Sequence, residues 1–389
     1  MIASIELFAG TGGLALGLQD SGFHHVALIE RDAHSCNNLL YNIRGGACPC
    51  VQDWNVLQAD IKDIDFSPYE GSIALVSGGP PCQPFSLGGK GRAHEDSRDM
   101  FPQAVRTVRE IKPKAFIFEN VKGLLRKSFA SYFNYILLQL SYPEVTAHGC
   151  MTWEEHRARL ERLHTSTAKQ TLRYNVSFRL LNAADYGVPQ KRQRVVIVGF
   201  REDIDAKWAF PEPTHSAEAL AYAQWVDYSY WEEHGLRRPE TCPLSNKQLE
   251  KIKDSHRSLF AKQRWLTVRD ALKGLPAPYG QHEETETSIP NHQFHGWGKS
   301  YEGHSGSLLD CPSKTIKAGA HGVPGGENML VQDDGQTRYF TIRESARIQT
   351  FPDSFVFDSS WSESMRQIGN AVPVRLAKAV GQSVARLIS

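Results

Sequence analysis

Ser4-Ile5-Glu6-Leu7-Phe8-Ala9-Gly10-Thr11-Gly12-Gly13-Leu14-Ala15 is an apolar run that ends in a glycine turn and reopens as a helical pattern through Leu14, Leu16 and Leu18 to Gly22. Strand, glycine turn and helix in that order open a doubly wound α/β sheet, and the turn fits G-x-G-x-x-A. Glycines there let a ligand lie against bare backbone. A second apolar run, Val26-Ala27-Leu28-Ile29, ends at Glu30, where a carboxylate can take both hydroxyls of a ribose. Alone, this pattern admits a dinucleotide, S-adenosylmethionine, or a purely structural turn. Asp60-Ile61 closes the next unit, and its aspartate is either a binding group or a solvated loop residue.

Farther out, Ile73-Ala74-Leu75-Val76 reads as a buried strand that stops at Ser77-Gly78-Gly79-Pro80-Pro81-Cys82-Gln83-Pro84-Phe85-Ser86. Two glycines and two prolines cannot continue a sheet, so Cys82 is presented on a rigid turn at a strand end. A free cysteine is often a small buried hydrophobe. A core residue does not need Gly-Gly-Pro-Pro before it, and a nucleophile whose attack distance must be held does. Ala115-Phe116-Ile117-Phe118 is the next buried strand, and Glu119 at its end falls in the crevice where such sheets bind ligands. Burial would let it hold a proton at neutral pH; an ion-paired glutamate is the alternative. In Gln190-Lys191-Arg192-Gln193-Arg194, strand alternation sends both arginines to one face, to pair Glu119, grip a base carbonyl or clamp a phosphate.

These stretches, with Phe8-Ala9-Gly10-Thr11-Gly12-Gly13, Glu119-Asn120-Val121, Arg343-Glu344-Ser345-Ala346-Arg347 and Gln367-Ile368-Gly369-Asn370-Ala371-Val372-Pro373, resemble in order the motifs of the cytosine-5 DNA methyltransferases of restriction-modification type. The resemblance spans residues 4 to 388, leaving about 201–336 and an insertion near 143–175 uncovered. It implies an α/β fold: a mainly parallel sheet with flanking helices of the S-adenosylmethionine-dependent methyltransferase kind, plus a smaller target-recognition domain. It implies a catalytic set of Cys82, Glu119, Arg192 and Arg194. The cofactor, S-adenosylmethionine, would meet Phe8, Ala9, Gly10, Thr11, Gly12, Gly13, Glu30, Asp60, Ile61, Pro80, Met100, Asn370, Ala371 and Val372. DNA would meet Gln83, Ser86, Lys90, Arg92, Thr315, Lys317 and His321. The implied reaction moves a methyl group to C5 of a flipped-out cytosine in double-stranded DNA, with a cognate restriction endonuclease as a further partner. An RNA cytosine-5 methyltransferase is the alternative, because such motifs read the base rather than the sugar.

At 389 residues the chain exceeds the size of one core, and 41% hydrophobic residues can fill two. The expected division is a catalytic and cofactor-binding domain over 1–200, target recognition over 201–336, and a C-terminal return over 337–389. No run approaches the ~18 apolar residues of a membrane span, and the first residues lack a signal-peptide pattern, so a soluble, cytoplasmic protein is expected; a monomer is expected separately. A net charge of +1 exerts no global pull on nucleic acid, so DNA contact must come from a local basic face. Seven irregularly spaced cysteines do not look like a disulfide framework. His34, Cys36, Cys48 and Cys50 offer four ligands, but Cys48-Pro49-Cys50 is too tight for the usual zinc spacing, and no metal is expected.

Residues 87–99 carry glycines and alternating charges without apolar periodicity, which suits a lid beside a nucleophile. Residues 153–173 read as a solvated helix in a peripheral insertion. Residues 247–273 concentrate basic side chains around Trp265, a composition suited to phosphates. The glycines and short polar side chains of 314–326 suit base edges.

Overall fold

The computed structural model describes residues 2–45, 48–81, 99–166, 172–204, 207–259, 262–281, 289–299, 305–318 and 328–389. These fall into two compact units. One comprises Met1–Leu181, Gln193–Phe210 and Ala377–Ser389, the other Asn182–Arg192 and Pro211–Leu376.

The first unit is built on β1 (Ile2–Leu7), α1 (Gly13–Gln19), β2 (Phe23–Glu30), α2 (Ala33–Arg44), β3 (Val56–Gln58), β4 (Leu75–Gly78), α3 (Phe101–Ile111), β5 (Ala115–Val121), α4 (Ala130–Ser141), α5 (Trp153–His164), β6 (Tyr174–Asn182) and β7 (Gln193–Arg201). Its seven strands run β3-β2-β1-β4-β5-β7-β6. β1 pairs in parallel with β2 and β4, β4 with β5, and β7 runs antiparallel to β5. The apolar runs at 75–76 and 115–118 are buried on both faces, as the central strands of a mainly parallel sheet are. Phe101, Ala104, Val105 and Val108 form the buried stripe of α3. The chain winds outward from β1 through β2 and β3, then returns to lay β4 and β5 on β1's other side. β1 and β4 therefore flank the switch point, and the crevice lies beyond their carboxyl ends. These ends approach closely: a Cβ on Gly78 would lie 2.4 Å from the Leu7 carbonyl oxygen.

α5 departs from the solvated helix expected for 153–173. Thr152 and Glu155 form a capping box, and the helix buries His156 and Leu160. The His156 Nδ1 shares a 2.8 Å hydrogen bond with the Tyr135 hydroxyl, so one face of this segment belongs to the core.

The second unit has short elements: β8 (His215–Ser216), α6 (Ala217–Trp225), α7 (Ser229–Glu233), α8 (Asn246–Leu259), β9 (Gln263–Arg264), α9 (Val268–Leu272), β10 (Ser307–Leu308), β11 (Met329–Val331), β12 (Thr337–Tyr339), α10 (Ile342–Ile348) and α11 (Trp361–Asn370). They form a three-stranded sheet β10-β11-β12, a two-stranded sheet β8-β9, and helices packed on aromatic side chains. The last helix, α12 (Val374–Ile388), contributes its residues from Ala377 onward to the first unit. There Ser21 Oγ donates to the Lys378 carbonyl at 3.1 Å, and Lys378 Nζ reaches Asp20 at 3.1 Å. Among the described residues no helix is long and apolar enough to cross a membrane.

Candidate active site

At the switch point the chain after β1 turns through left-handed backbone at Phe8 (φ 55°), Gly10 (φ 54°) and Gly12 (φ 80°). Gly12 is required twice: its φ favours glycine, and a Cβ there would sit 2.7 Å from Trp54 Cζ3. Ala9, Thr11 and Gly13 are buried around the turn, and Asn38 donates to Thr11 Oγ1 at 3.1 Å. Glu30, at the end of β2, faces it. Its Oε2 accepts from Gly10 N–H at 2.8 Å, while Oε1 accepts from the N–H groups of Arg31 and Asp32 at 2.8 and 2.7 Å. Three main-chain donors orient this carboxylate. Asp60 caps the following turn by accepting from Lys62 N–H at 3.1 Å, and Arg31 lies 3.3 Å from it. These contacts, the Lys62 N–H foremost, hold the Asp60 carboxyl below its ordinary range. Ile61 beside it is buried.

The second cluster lies at the end of β5. Val121 pairs with Arg194 across the β5–β7 ladder, which brings the Arg194 side chain to Glu119 with Nε 2.7 Å from Oε1. Both side chains are nearly covered, at 12% and 11% exposure, so each charge relies on the other. Burial draws the Arg194 guanidinium below its usual range, and the Glu119 carboxylate opposes that shift. A Cβ on Gly79 would lie 3.4 Å from Glu119 Oε2, so the β4 turn passes close to the carboxylate. Asn120 Nδ2 donates to the buried Pro80 carbonyl at 2.9 Å and ties the two strand ends together. Met100 is buried, and its N–H donates to the Pro81 carbonyl at 3.3 Å.

Cys82, Gln83, Ser86, Lys90, Arg92 and the expected lid lie outside the described residues, as does His321. Arg192 is a correction. β7 begins at Gln193, so strand alternation does not extend to Arg192, which is fully buried in the second unit. Its Nη1 donates to the Ile316 carbonyl at 3.1 Å and its Nη2 to the Gly369 and Ala371 carbonyls at 2.6 and 3.0 Å. It therefore clamps backbone and does not share a face with Arg194. Asn370 ends α11 with its side chain exposed, and Ala371 and Val372 are buried. Thr315 Oγ1 donates to the Lys191 carbonyl at 2.8 Å, and Lys317 is exposed.

Within 247–273 the two best-placed arginines are already engaged. Arg264 pairs with Glu233 and Asp270, and Arg269 pairs with Asp310 and Asp333. These pairs tie elements of the second unit together, and Lys247 and Lys273 are exposed. His34, Cys36, Cys48 and Cys50 are not brought into one ligand set. Cys48 and Cys50 form a disulfide, and Cys36 Sγ is buried against the Glu30 carbonyl. Glu233, His234 and Asp270 are the group with metal-ligand spacing among the described residues, and Arg264 occupies both carboxylates.

Asn120, quoted from the sequence only as part of Glu119-Asn120-Val121, is a buried β5 residue whose bond to the Pro80 carbonyl no local pattern reports.

A mainly parallel seven-stranded sheet, with a glycine turn at its switch point and a buried Glu–Arg pair at a neighbouring strand end, is an open α/β architecture whose crevice lies beyond the carboxyl ends of its strands. The pattern of the C-5 cytosine-specific DNA methylase family matches residues 2–142 and 155–386, and the chain belongs to that family. It is a DNA cytosine-5-methyltransferase. The unmatched stretch, 143–154, is shorter than the insertion expected over 143–175, and the match runs through 201–336. The type II methyltransferase M.PspPI of Psychrobacter sp. is 32% identical over 99% of this chain and 79% of its own length. M.NgoMIV of Neisseria gonorrhoeae is 30% identical over 99% of this chain and 97% of its own. In fold, the chain resembles the crystal structure of the S. pombe Dnmt2 methyltransferase with a TM-score of 0.57, at 17% identity, covering 100% of this chain and 98% of that one. The matched family is one of DNA methylases, which gives the RNA alternative the lesser support.

Proposed function

We propose that the methyl donor is S-adenosylmethionine and that Cys82, Glu119 and Arg194 carry the chemistry on a cytosine flipped out of duplex DNA. The residues around the switch point fit that donor. Left-handed backbone at 8–12 leaves main chain open to a ligand, Glu30 offers an oriented carboxylate to a ribose diol, and Asp60 and Ile61 offer a polar and an apolar contact to an adenine. When bound, the donor supplies an electrophilic methyl group. Pro80 and Met100, and by family resemblance Asn370, Ala371 and Val372, are assigned to it as well.

C5 of cytosine is a weak nucleophile. Attack of the Cys82 thiolate on C6 pushes an electron pair onto C5, with Glu119 bonding N3 and the amino edge and Arg194 gripping O2. C5 takes the methyl group as its bond to the donor sulfur breaks with the electron pair staying on that sulfur, the C5 proton is lost to a base, and the C6–S bond breaks to return the thiolate. The reacting edge is hidden in an intact duplex, so the base must leave the stack. The observation that carries this reading is the 2.7 Å Arg194–Glu119 pairing beside the Gly79 turn that leads to position 82. Gln83, Ser86, Lys90, Arg92, Thr315, Lys317 and His321 are assigned to DNA, with 201–336 as the target-recognition domain and 337–389 as the C-terminal return. The type II relatives favour a restriction endonuclease that cuts the same sequence, and we assign a monomer working on cytoplasmic DNA.

Bisulfite sequencing of DNA from cells expressing the chain tests this. Methylated cytosines should occur in one sequence context and vanish with Cys82→Ala. Retention of more than a few per cent of wild-type methylation by that variant refutes the nucleophile.

A further inference from the structure

The second unit holds one stretch of main chain from three directions. At Ile316, Gln190 Oε1 accepts from the N–H at 3.1 Å, and Arg192 Nη1 donates to the carbonyl at 3.1 Å. Gln190 is itself fixed, because its Nε2 donates to Gln349 Oε1 at 3.0 Å. At Lys317, Asn328 closes a two-bond clamp. Its Oδ1 accepts from the Lys317 N–H at 3.0 Å and its Nδ2 donates to the Lys317 carbonyl at 3.1 Å. Asn328 is 2% exposed, so these bonds form away from water and a lost one leaves a buried group unmatched.

The third direction is steric. A Cβ on Gly369 would lie 2.3 Å from the Ala318 nitrogen and 2.6 Å from the Lys317 carbonyl carbon, so α11 rests directly on this main chain. Arg192 holds α11 there, since its Nη2 donates to the Gly369 and Ala371 carbonyls. Ile316 is fully buried between exposed Lys314 and Lys317. The backbone is pinned while Lys317 beside it is exposed and Lys314 Nζ donates to the Ser305 carbonyl at 2.6 Å.

We propose that Asn328 and Gly369, together with Gln190 and Arg192, are positioning residues for target recognition: they fix the main chain at 316–318, and that fixed main chain sets how sharply the enzyme separates its target from near-targets. This rests on the reading that Thr315 and Lys317 meet base edges. Base readout needs donors and acceptors held within a few tenths of an ångström, and a side chain inherits its placement from its backbone. Because the clamp touches main chain, its loss alters discrimination without removing any group that meets DNA.

The test uses the full chain and the target mapped by bisulfite sequencing. For wild type, Asn328→Ala, Gly369→Ala, Thr315→Ala and Lys317→Ala, kcat/KM is measured on a target duplex and on duplexes with one substituted base pair. The ratio between duplexes, taken on one preparation, is independent of the fraction of protein that is folded. Asn328→Ala and Gly369→Ala should each lower the ratio by about tenfold, the scale of one good base contact. Asn328→Ala should leave the KM for S-adenosylmethionine unchanged. Equal losses on all duplexes, with the ratio intact, overturn the proposal. If Thr315→Ala and Lys317→Ala lower the ratio and the other two do not, positioning fails and the recognition reading stands. If none of the four moves it, the recognition reading fails and takes the proposal with it.

Discussion

Glu119→Gln separates what the Glu119 carboxylate does for stability from what it does for chemistry. At 2.7 Å from Arg194 Nε, the pair interacts by about 6 kcal/mol at an effective dielectric constant of ~20, before the cost of removing both charges from water is deducted. Removing one partner of a buried pair costs about 3–5 kcal/mol because the other charge is stranded. Glutamine retains an oxygen that accepts from the guanidinium, and a hydrogen bond to a charged group recovers about 1.5–3 kcal/mol. The net loss should be ~2 kcal/mol, enough to lower the unfolding midpoint while leaving the protein folded at 25 °C. A double-mutant cycle with Arg194→Met, followed by urea unfolding, should return a coupling energy of ~2 kcal/mol. Single-turnover methylation should fall much further, by about 10²–10⁴-fold, since an amide neither gives nor takes a proton at N3. The reasoning is refuted if the rate falls no more than the unfolded fraction explains, or if the coupling energy lies within ~0.3 kcal/mol of zero.

Glu30→Ala should weaken S-adenosylmethionine binding by about 1–3 kcal/mol, read by calorimetry, because it removes the carboxylate and frees the Gly10, Arg31 and Asp32 N–H groups; unchanged affinity removes Glu30 from the site. Two buried groups in the first unit give opposite pH dependences. Burial pushes Glu6 up to about 8 from its ordinary 4.5, while the Ser77 hydroxyl and the Ala15 N–H pull it back. Between those values the folded chain holds a proton that the unfolded chain releases, so stability is full below 4.5 and is lost as pH rises through about 8. Burial lowers His25 to about 4 from 6.5, so its contribution is present above 6.5 and is lost as pH falls toward 4. Glu6→Gln should gain on wild type in thermal midpoint as pH rises from 5 to 8; a difference that does not vary with pH refutes the assignment.

The first unit was legible where one local signal carried the structure. At 4–15 the apolar run, the glycines and the helical pattern agree, and the turn forms as read. Glu30 and Glu119 were legible because a carboxylate ending an apolar strand has few other places to be. Arg192 was misread because its role depends on distant carbonyls: Ile316, Gly369 and Ala371 lie 124, 177 and 179 positions along the chain. No periodicity at 190–194 reports them, and a strand beginning one residue later changes which way Arg192 points. The basic composition of 247–273 likewise does not report that Arg264 pairs with Glu233 and Asp270, and Arg269 with Asp310 and Asp333.

The seam between α1 and α12 bears on how the protein is made. Asp20 and Lys378 are 358 positions apart, so a ribosome emits the first helix long before the helix that lies against it. At roughly 5–20 residues per second, that interval is tens of seconds. Throughout it, Leu18, which meets α12 where a Cβ on Gly381 would lie 2.9 Å from its Cδ2, waits uncovered. Contacts of such long sequence separation close late, after the loop entropy between them has been overcome. A chaperone that shields apolar surface on nascent chains therefore has its longest opportunity at α1, and translation stalled before Ala377 releases a sheet that lacks its closing helix.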